Sequence, residues 1–281
     1  MSFSPVRPIS ADKSVVTRDF RVPCPGGTYL HAVEMAPQNA DASSPTVVAI
    51  QGTGGAAFGS HRWRLRLGHC LAAAGTRFIL FDCRGHGYSD GEKINTTVTS
   101  IVEDASAVLH WATSRTDVSS SRIGLFGFSL GSAIAVLVAE HSATLVRSIL
   151  AFKMTFDMAS GFLWYFERFD RFSLDRIFDG TGRAWIRGLE DYVTESFFDD
   201  LTNHDIIQSI SQIVTPLWVI QPKDDDQVPR WVTRKAYEAA RTEKQFFLID
   251  GSHTLLKPDG WDHEQEAMVH SIVTQWIDET L

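Results

Sequence analysis

The sequence predicts an α/β protein built on a mostly parallel central sheet of about eight strands, flanked by helices and interrupted by one helical insertion. Three observations predict it. Short, mostly apolar runs recur at residues 46–50, 77–81, 123–126, 146–152, 217–220 and 246–249, without the polar alternation of a half-exposed strand, as expected of strands covered on both faces. Helical patterns stand between most of these runs, and strand–helix alternation places successive strands parallel. The rhythm breaks once, over about sixty residues between Phe152 and Pro216 that carry many aromatics and no obvious core strand.

Taken in order, residues 1–14 are polar and proline-containing and predict an N-terminal arm. Residues 17–22 and 28–35 predict two strands of a hairpin, joined at Cys24-Pro25-Gly26-Gly27. A loop at 37–45 leads to the strand 46–50, a helix over 61–74 that Gly75 ends, and the strand 77–81. A helix over 98–113, a strand over 123–126, a helix over 129–141 and a strand over 146–152 follow. After the insertion come strands at 217–220 and 246–249 and a closing helix over 263–279. The domain expectation is a core of residues 15–152 and 215–281, with 153–214 as a cap. A structureless loop of that length is implausible in a compact domain, so the cap should be helical with its own packing.

A formal net charge of −8 argues against a nucleic-acid or anionic-membrane partner, each of which calls for a basic face. No stretch has the length and apolarity of a membrane span, and the N-terminus shows no apolar core followed by a cleavage site. Cys24, Cys70 and Cys83 are odd in number and lack metal-ligand spacing. Reduced thiols and a cytoplasmic setting are the expectation, with the oligomeric state left open.

Gly127-Phe128-Ser129-Leu130-Gly131 joins a strand directly to a helix. The bare Gly-x-Ser-x-Gly pattern arises by chance in roughly one chain of this length in ten, so its position carries the weight. A sharp strand-to-helix turn needs very small residues two places either side of its apex, and it lifts the serine hydroxyl above the sheet edge. That hydroxyl needs a base to take its proton, and the base needs an orienting carboxylate. In a parallel sheet such groups collect in the loops at the carboxyl ends of strands. After the last strand that filter selects His253. After the preceding strand it gives Asp224, Asp225 and Asp226, and spacing to Val228-Pro229 favours Asp225 while leaving its neighbours open. The oxyanion donors expected are the backbone N–H groups of Leu130 and of Thr53, in the glycine-rich loop after residues 46–50. That loop lacks the Lys-Ser/Thr of a phosphate-binding loop and the spacing of a dinucleotide fingerprint. Among the insertion's aromatics, Phe156, Phe162, Trp164 and Trp185 are candidates for an acyl pocket.

From about residue 17 to the C-terminus, except the insertion, the chain resembles the α/β-hydrolases. The likeness rests on the turn at Ser129, Gly52-Thr53-Gly54-Gly55, the run Asp82-Cys83-Arg84-Gly85-His86-Gly87-Tyr88-Ser89-Asp90-Gly91, Asp225 before Val228-Pro229, and Gly251-Ser252-His253. The order Ser, Asp, His is that family's order. The resemblance implies a structural role for Asp82 and Arg84, with Arg84 paired to a carboxylate, and a rigid loop at His86. It also shows one departure, Gln51-Gly52 where His-Gly is usual. The expected function is cofactor-free, metal-free hydrolysis of a carboxylic ester or thioester through an acyl-enzyme. The partner would be a small-molecule acyl substrate, free or linked to a carrier or coenzyme A, with an apolar acyl group. Acyl transfer in a biosynthetic pathway, C–C bond hydrolysis and non-catalytic ligand binding are the alternatives.

Overall fold

The computed structural model describes residues 14–53, 57–155, 180–186 and 191–281. Two long strands, β1 (Val15–Pro23) and β2 (Tyr29–Pro37), form the expected hairpin, paired along their whole length. Strands β3 (Thr46–Ile50), β4 (Arg77–Phe81), β5 (Ile123–Phe128) and β6 (Ser148–Phe152) follow, every one of them buried over nearly its full length. Between them lie helices α1 (Trp63–Ala73), α2 (Val98–Thr113) and α3 (Leu130–His141).

The described part of the insertion adds a hairpin to the expected helices. It contains an antiparallel hairpin, β7 (Arg183–Ile186) and β8 (Asp191–Thr194), before the short helices α4 (Glu195–Leu201) and α5 (Ile206–Gln212). Strands of four residues leave too short a period-two pattern to be told from loop. The core resumes with β9 (Leu217–Pro222), α6 (Arg230–Ala239) and β10 (Lys244–Ile249), then a small hairpin of β11 (Leu256–Lys257) and β12 (Gly260–Trp261), and α7 (His263–Thr280).

Eight strands make the central sheet in the order β1-β2-β4-β3-β5-β6-β9-β10. Only β2 runs against the others: it is antiparallel to both β1 and β4, whereas every later pairing is parallel. Because side chains alternate across a strand, the sheet feeds two cores. Val48, Ile50, Leu125, Ile149, Ala151 and Val219 pack on one face with α2, α3, α5 and α6. Val47, Ala49, Phe126, Leu150, Phe152, Trp218 and Ile220 pack on the other with α1 and α7. Trp276 of α7 lies so close to Gly124 of β5 that a Cβ there would meet its ring at 2.5 Å, and its indole N–H donates to Ser148 Oγ at 2.7 Å.

Register decides which loops meet. Ile50 pairs with Gly127, Phe128 with Phe152, and Phe152 with Ile220. Gln221 and Pro222 pair with Leu248 and Ile249. The loops that carry residues 51–53, Ser129, Lys153, Asp225 and His253 therefore leave one edge of the sheet side by side.

Candidate active site

Ser129 sits between β5 and α3 at φ 52° and ψ −121°, a positive φ that a non-glycine residue adopts only under strain. Its surroundings enforce the turn. A Cβ on Gly127 would lie 2.4 Å from the Gly131 carbonyl oxygen, and one on Gly131 would lie 2.3 Å from that of Ile50. The Ser129 N–H donates to Phe152 O at 2.9 Å, while Ser132 Oγ donates to Gly127 O at 2.8 Å, so both limbs of the turn are tied down. The serine is left partly exposed at the first turn of α3, where the macrodipole favours negative charge.

His253 and Asp225 meet across the β9 and β10 loops. His253 Nδ1 lies 2.9 Å from Asp225 Oδ1 and 3.0 Å from Oδ2. The carboxylate also accepts from the Gln227 and Val228 N–H groups, at 3.0 and 2.7 Å. Burial pushes the Asp225 carboxyl up, but the His253 charge and hydrogen bond, the Val228 N–H and the Lys153 charge together bring it below the ordinary carboxylate value. An ionised carboxylate only accepts, so the proton between them sits on Nδ1 and the lone pair on Nε2. Nε2 makes no hydrogen bond among the described residues, and the residue is buried. The His253 ring packs edge-on to Phe128, the neighbour of Ser129, at 5.8 Å between centroids. Of the three adjacent acids the structure brings Asp225 to the histidine, while Asp224 and Asp226 are exposed.

Thr53 and Leu130 flank a cavity of about 420 Å³, counting space open to solvent. A Cβ on Gly52 would stand 3.2 Å from Ser129 Cβ, so the glycine lets the 51–53 loop pass directly beside the serine. The first N–H groups of α3, Leu130 among them, have no partner within the helix. Gln51 also lines the cavity, and its Oε1 is buried without a hydrogen-bond partner.

Of the four aromatics expected to line the cavity, one is among the described residues. Phe156, Phe162 and Trp164 lie outside the described residues. Trp185 is 52% exposed and is not among the lining residues; its ring packs on Tyr192 at 5.3 Å, and Tyr192 is the residue that lines the cavity, with Phe197 of α4. His86 and Lys93 reach the cavity from the loop after β4, which the sequence suggested only as scaffold. Burial lowers both, Lys93 to about 8, and the Lys93 ammonium lies 5.0 Å from the Tyr192 ring centroid.

The remainder of the β4 loop is structural. Asp82 accepts from the Ala57 N–H at 2.7 Å and the Tyr88 N–H at 3.2 Å, and a Cβ on Gly87 would strike its carboxylate at 2.2 Å. Arg84 pairs with Asp104 at 2.7 Å and Glu103 at 2.8 Å, matching the carboxylate partner expected of it. Among the described residues no cluster of three or more metal-ligating side chains occurs, and no helix is long and apolar enough to cross a membrane. Lys153, at the carboxyl end of β6, escaped the sequence reading although the same strand-end filter would have reached it. Its ammonium donates to the His253 carbonyl.

Residues 26–169, just over half of the chain, match the X-Pro dipeptidyl-peptidase (S15) family. The chain belongs to that family of α/β-hydrolases. The match in this S15-family hydrolase includes Ser129 and ends before Asp225 and His253. An uncharacterized protein of Mycobacterium tuberculosis is 26% identical over 254 residues, covering 89% of this chain and 74% of its own. Among solved structures, a hypothetical protein of Pseudomonas aeruginosa superposes with a TM-score of 0.77 at 19% identity, over 100% of both chains. Est1E of Butyrivibrio proteoclasticus with ferulic acid bound superposes with a TM-score of 0.74 at 18% identity, over 93% of this chain and 98% of its own. These structures share the fold with the S15-family hydrolase.

Proposed function

We propose that this S15-family hydrolase cleaves a carboxylic ester or thioester through an acyl-enzyme on Ser129. The observation that carries the reading is the Asp225–His253 pair, in which the carboxylate holds Nδ1 while the imidazole ring packs against Phe128, the neighbour of Ser129. In the first step His253 Nε2 takes the hydroxyl proton as Ser129 Oγ bonds to the substrate carbonyl carbon, and Asp225 balances the imidazolium. The oxyanion is held by the N–H groups of Leu130 and Thr53. The imidazolium then gives its proton to the departing alkoxide or thiolate, leaving an acyl ester on Ser129. In the second step water loses a proton to Nε2, attacks the acyl carbon and releases the carboxylic acid, with the proton returned to Ser129.

The cavity joins apolar surface from Ile101, Val193 and Phe197 to polar groups from Thr53, His86, Thr96 and Tyr192. That described lining supports an apolar acyl group that carries some polar character. The carboxylic acid in Est1E supports the ester reading by analogy of fold alone. The S15 match favours a second reading, the same acyl-enzyme formed from a peptide bond.

Stopped-flow release of p-nitrophenol from p-nitrophenyl esters, beside p-nitroaniline release from X-Pro dipeptide anilides, separates the two. A burst equal to the enzyme concentration on the ester, with the anilide far slower, is the expected result. Faster anilide turnover would establish the peptidase reading, and no turnover of either would remove both.

A further inference from the structure

We propose that Lys153 is a positioning residue of this site: its buried ammonium anchors the His253 loop through the main-chain carbonyl and, by its charge, opposes protonation of the imidazole. The inference rests on the assignment of His253 as base. Lys153 directly follows β6 at φ 62°, in the left-handed region, and its N–H donates to Ile220 O at 2.9 Å. That backbone turn accompanies a side chain driven inward rather than off the sheet end, and the residue is fully buried.

Once inside, the ammonium meets few acceptors. It donates to the His253 carbonyl and otherwise faces the Phe152 and Phe128 rings, at 4.1 and 4.8 Å from their centroids. Cation–π contacts recover part of the lost hydration, but an ammonium has three donors and, among the described residues, one oxygen to receive them. Burial pulls Lys153 down to about 7, against the upward pull of Asp225 and Asp226. Among the described residues those two carboxylates, from the loop after β9, are the charged groups that act on it; β10's loop presents the His253 carbonyl and β5 the Phe128 ring. A well-packed apolar side chain would serve the fold at lower cost, so the lysine's contribution is to the neighbouring groups.

Two consequences follow from that placement. The loop beyond β10 is tied by the Asp224 N–H to the Gly251 carbonyl at 3.1 Å and by Gln265, which accepts from the Ser252 N–H at 3.2 Å and donates to its carbonyl at 2.8 Å; Lys153 adds a grip on the backbone one residue further on, at His253 itself. And Lys153 acts on Asp225, the same carboxylate that His253 depends on. While charged, it competes with an imidazolium for that carboxylate.

Lys153→Met removes both effects, and Lys153→Gln keeps a donor for the carbonyl but not the charge. Both are tested in the whole protein by thermal unfolding, by kcat/KM against pH with a p-nitrophenyl ester, and by NMR titration of the His253 ring, which needs no turnover. The expected result is an acid limb and a His253 titration displaced upward by roughly one pH unit in both variants. A fall in kcat of about tenfold or more should appear in Lys153→Met and be partly restored in Lys153→Gln. Folded variants with both titrations unmoved would overturn the proposal. Should neither variant fold, the wild-type His253 curve decides: two inflections, one coinciding with the Lys153 Nζ titration, support the coupling, and a single inflection overturns it. A His253 titration that moves in a protein with no esterase or peptidase turnover would retain the coupling and reject the catalytic reading.

Discussion

Ile50 and Gly131 are in contact across the end of the sheet: a Cβ on Gly131 would lie 2.3 Å from the Ile50 carbonyl oxygen and 2.5 Å from that of Gln51. Both obstacles are backbone, and backbone here is fixed by the β3–β5 ladder, in which Ile50 pairs with Gly127. Gly131→Ala should therefore cost about 1–3 kcal/mol or more, the range of overpacked cores, read as a lowered denaturation midpoint. An unchanged midpoint would show that the turn is not locked in the way described.

The strained turn at Ser129 makes an opposite prediction. Glycine accepts φ 52° without the Cβ penalty that serine bears. Ser129→Gly should raise thermal stability, within the roughly 1–3 kcal/mol that such strain stores, while removing turnover. Lower stability would mean that the serine side chain contributes contacts to the folded state that outweigh the strain.

Asp225→Asn should lower kcat by about 10⁴-fold, because an amide can no longer hold the Nδ1 proton and the wrong tautomer faces Ser129. It should also cost stability in a pH-dependent way. Asp225 is more acidic in the folded protein than an ordinary carboxylate, so below about pH 4 the unfolded chain binds the extra proton first and wild-type stability rises with pH through that window. The gap between wild type and Asp225→Asn should be full at pH 7 and shrink as the pH falls through the folded-state value. Denaturant titrations at pH 7 and pH 3 check it, and a gap of constant size would contradict the assignment.

Phe197 lines the cavity and is itself buried, on a helix capped by the Thr194 hydroxyl. Phe197→Ala should leave turnover of acetyl esters within about threefold and change KM for larger acyl groups by tenfold or more, as loss of an aromatic contact implies. Equal effects on acetyl and longer esters would remove Phe197 from the acyl pocket.

Much of the core was legible because strands buried on both faces leave uninterrupted apolar runs. Residues 46–50 and 77–81 are β3 and β4 to the residue. The serine turn was legible for a steric reason, since few residues other than glycine fit at positions 127 and 131. The α6 helix was passed over: Val232, Thr233 and Ala236 are buried on it and Tyr237 and Ala239 pack beside them, but Arg230, Arg234, Lys235 and Glu238 between them give the stretch the look of a polar loop. The choice among Asp224, Asp225 and Asp226 needed three dimensions, because it depends on which carboxylate the turn points inward. Two described residues of the cavity wall, Tyr192 and Phe197, were passed over for a related reason. Aromatic composition drew attention to the insertion's richest stretch, whereas Tyr192 and Phe197 come from a short hairpin and a seven-residue helix with little pattern of their own. Lys153 was hidden by residue type, since a lysine ending an apolar strand suggests a solvated end.

The most direct test of the central claim is mass-spectrometric mapping of the adduct left by a fluorophosphonate. The account predicts a single stoichiometric adduct on the peptide containing Ser129, absent in Ser129→Ala and formed at least about a hundredfold more slowly in His253→Ala. No adduct on the folded wild-type protein, or an adduct at a different residue that persists in Ser129→Ala, would contradict it.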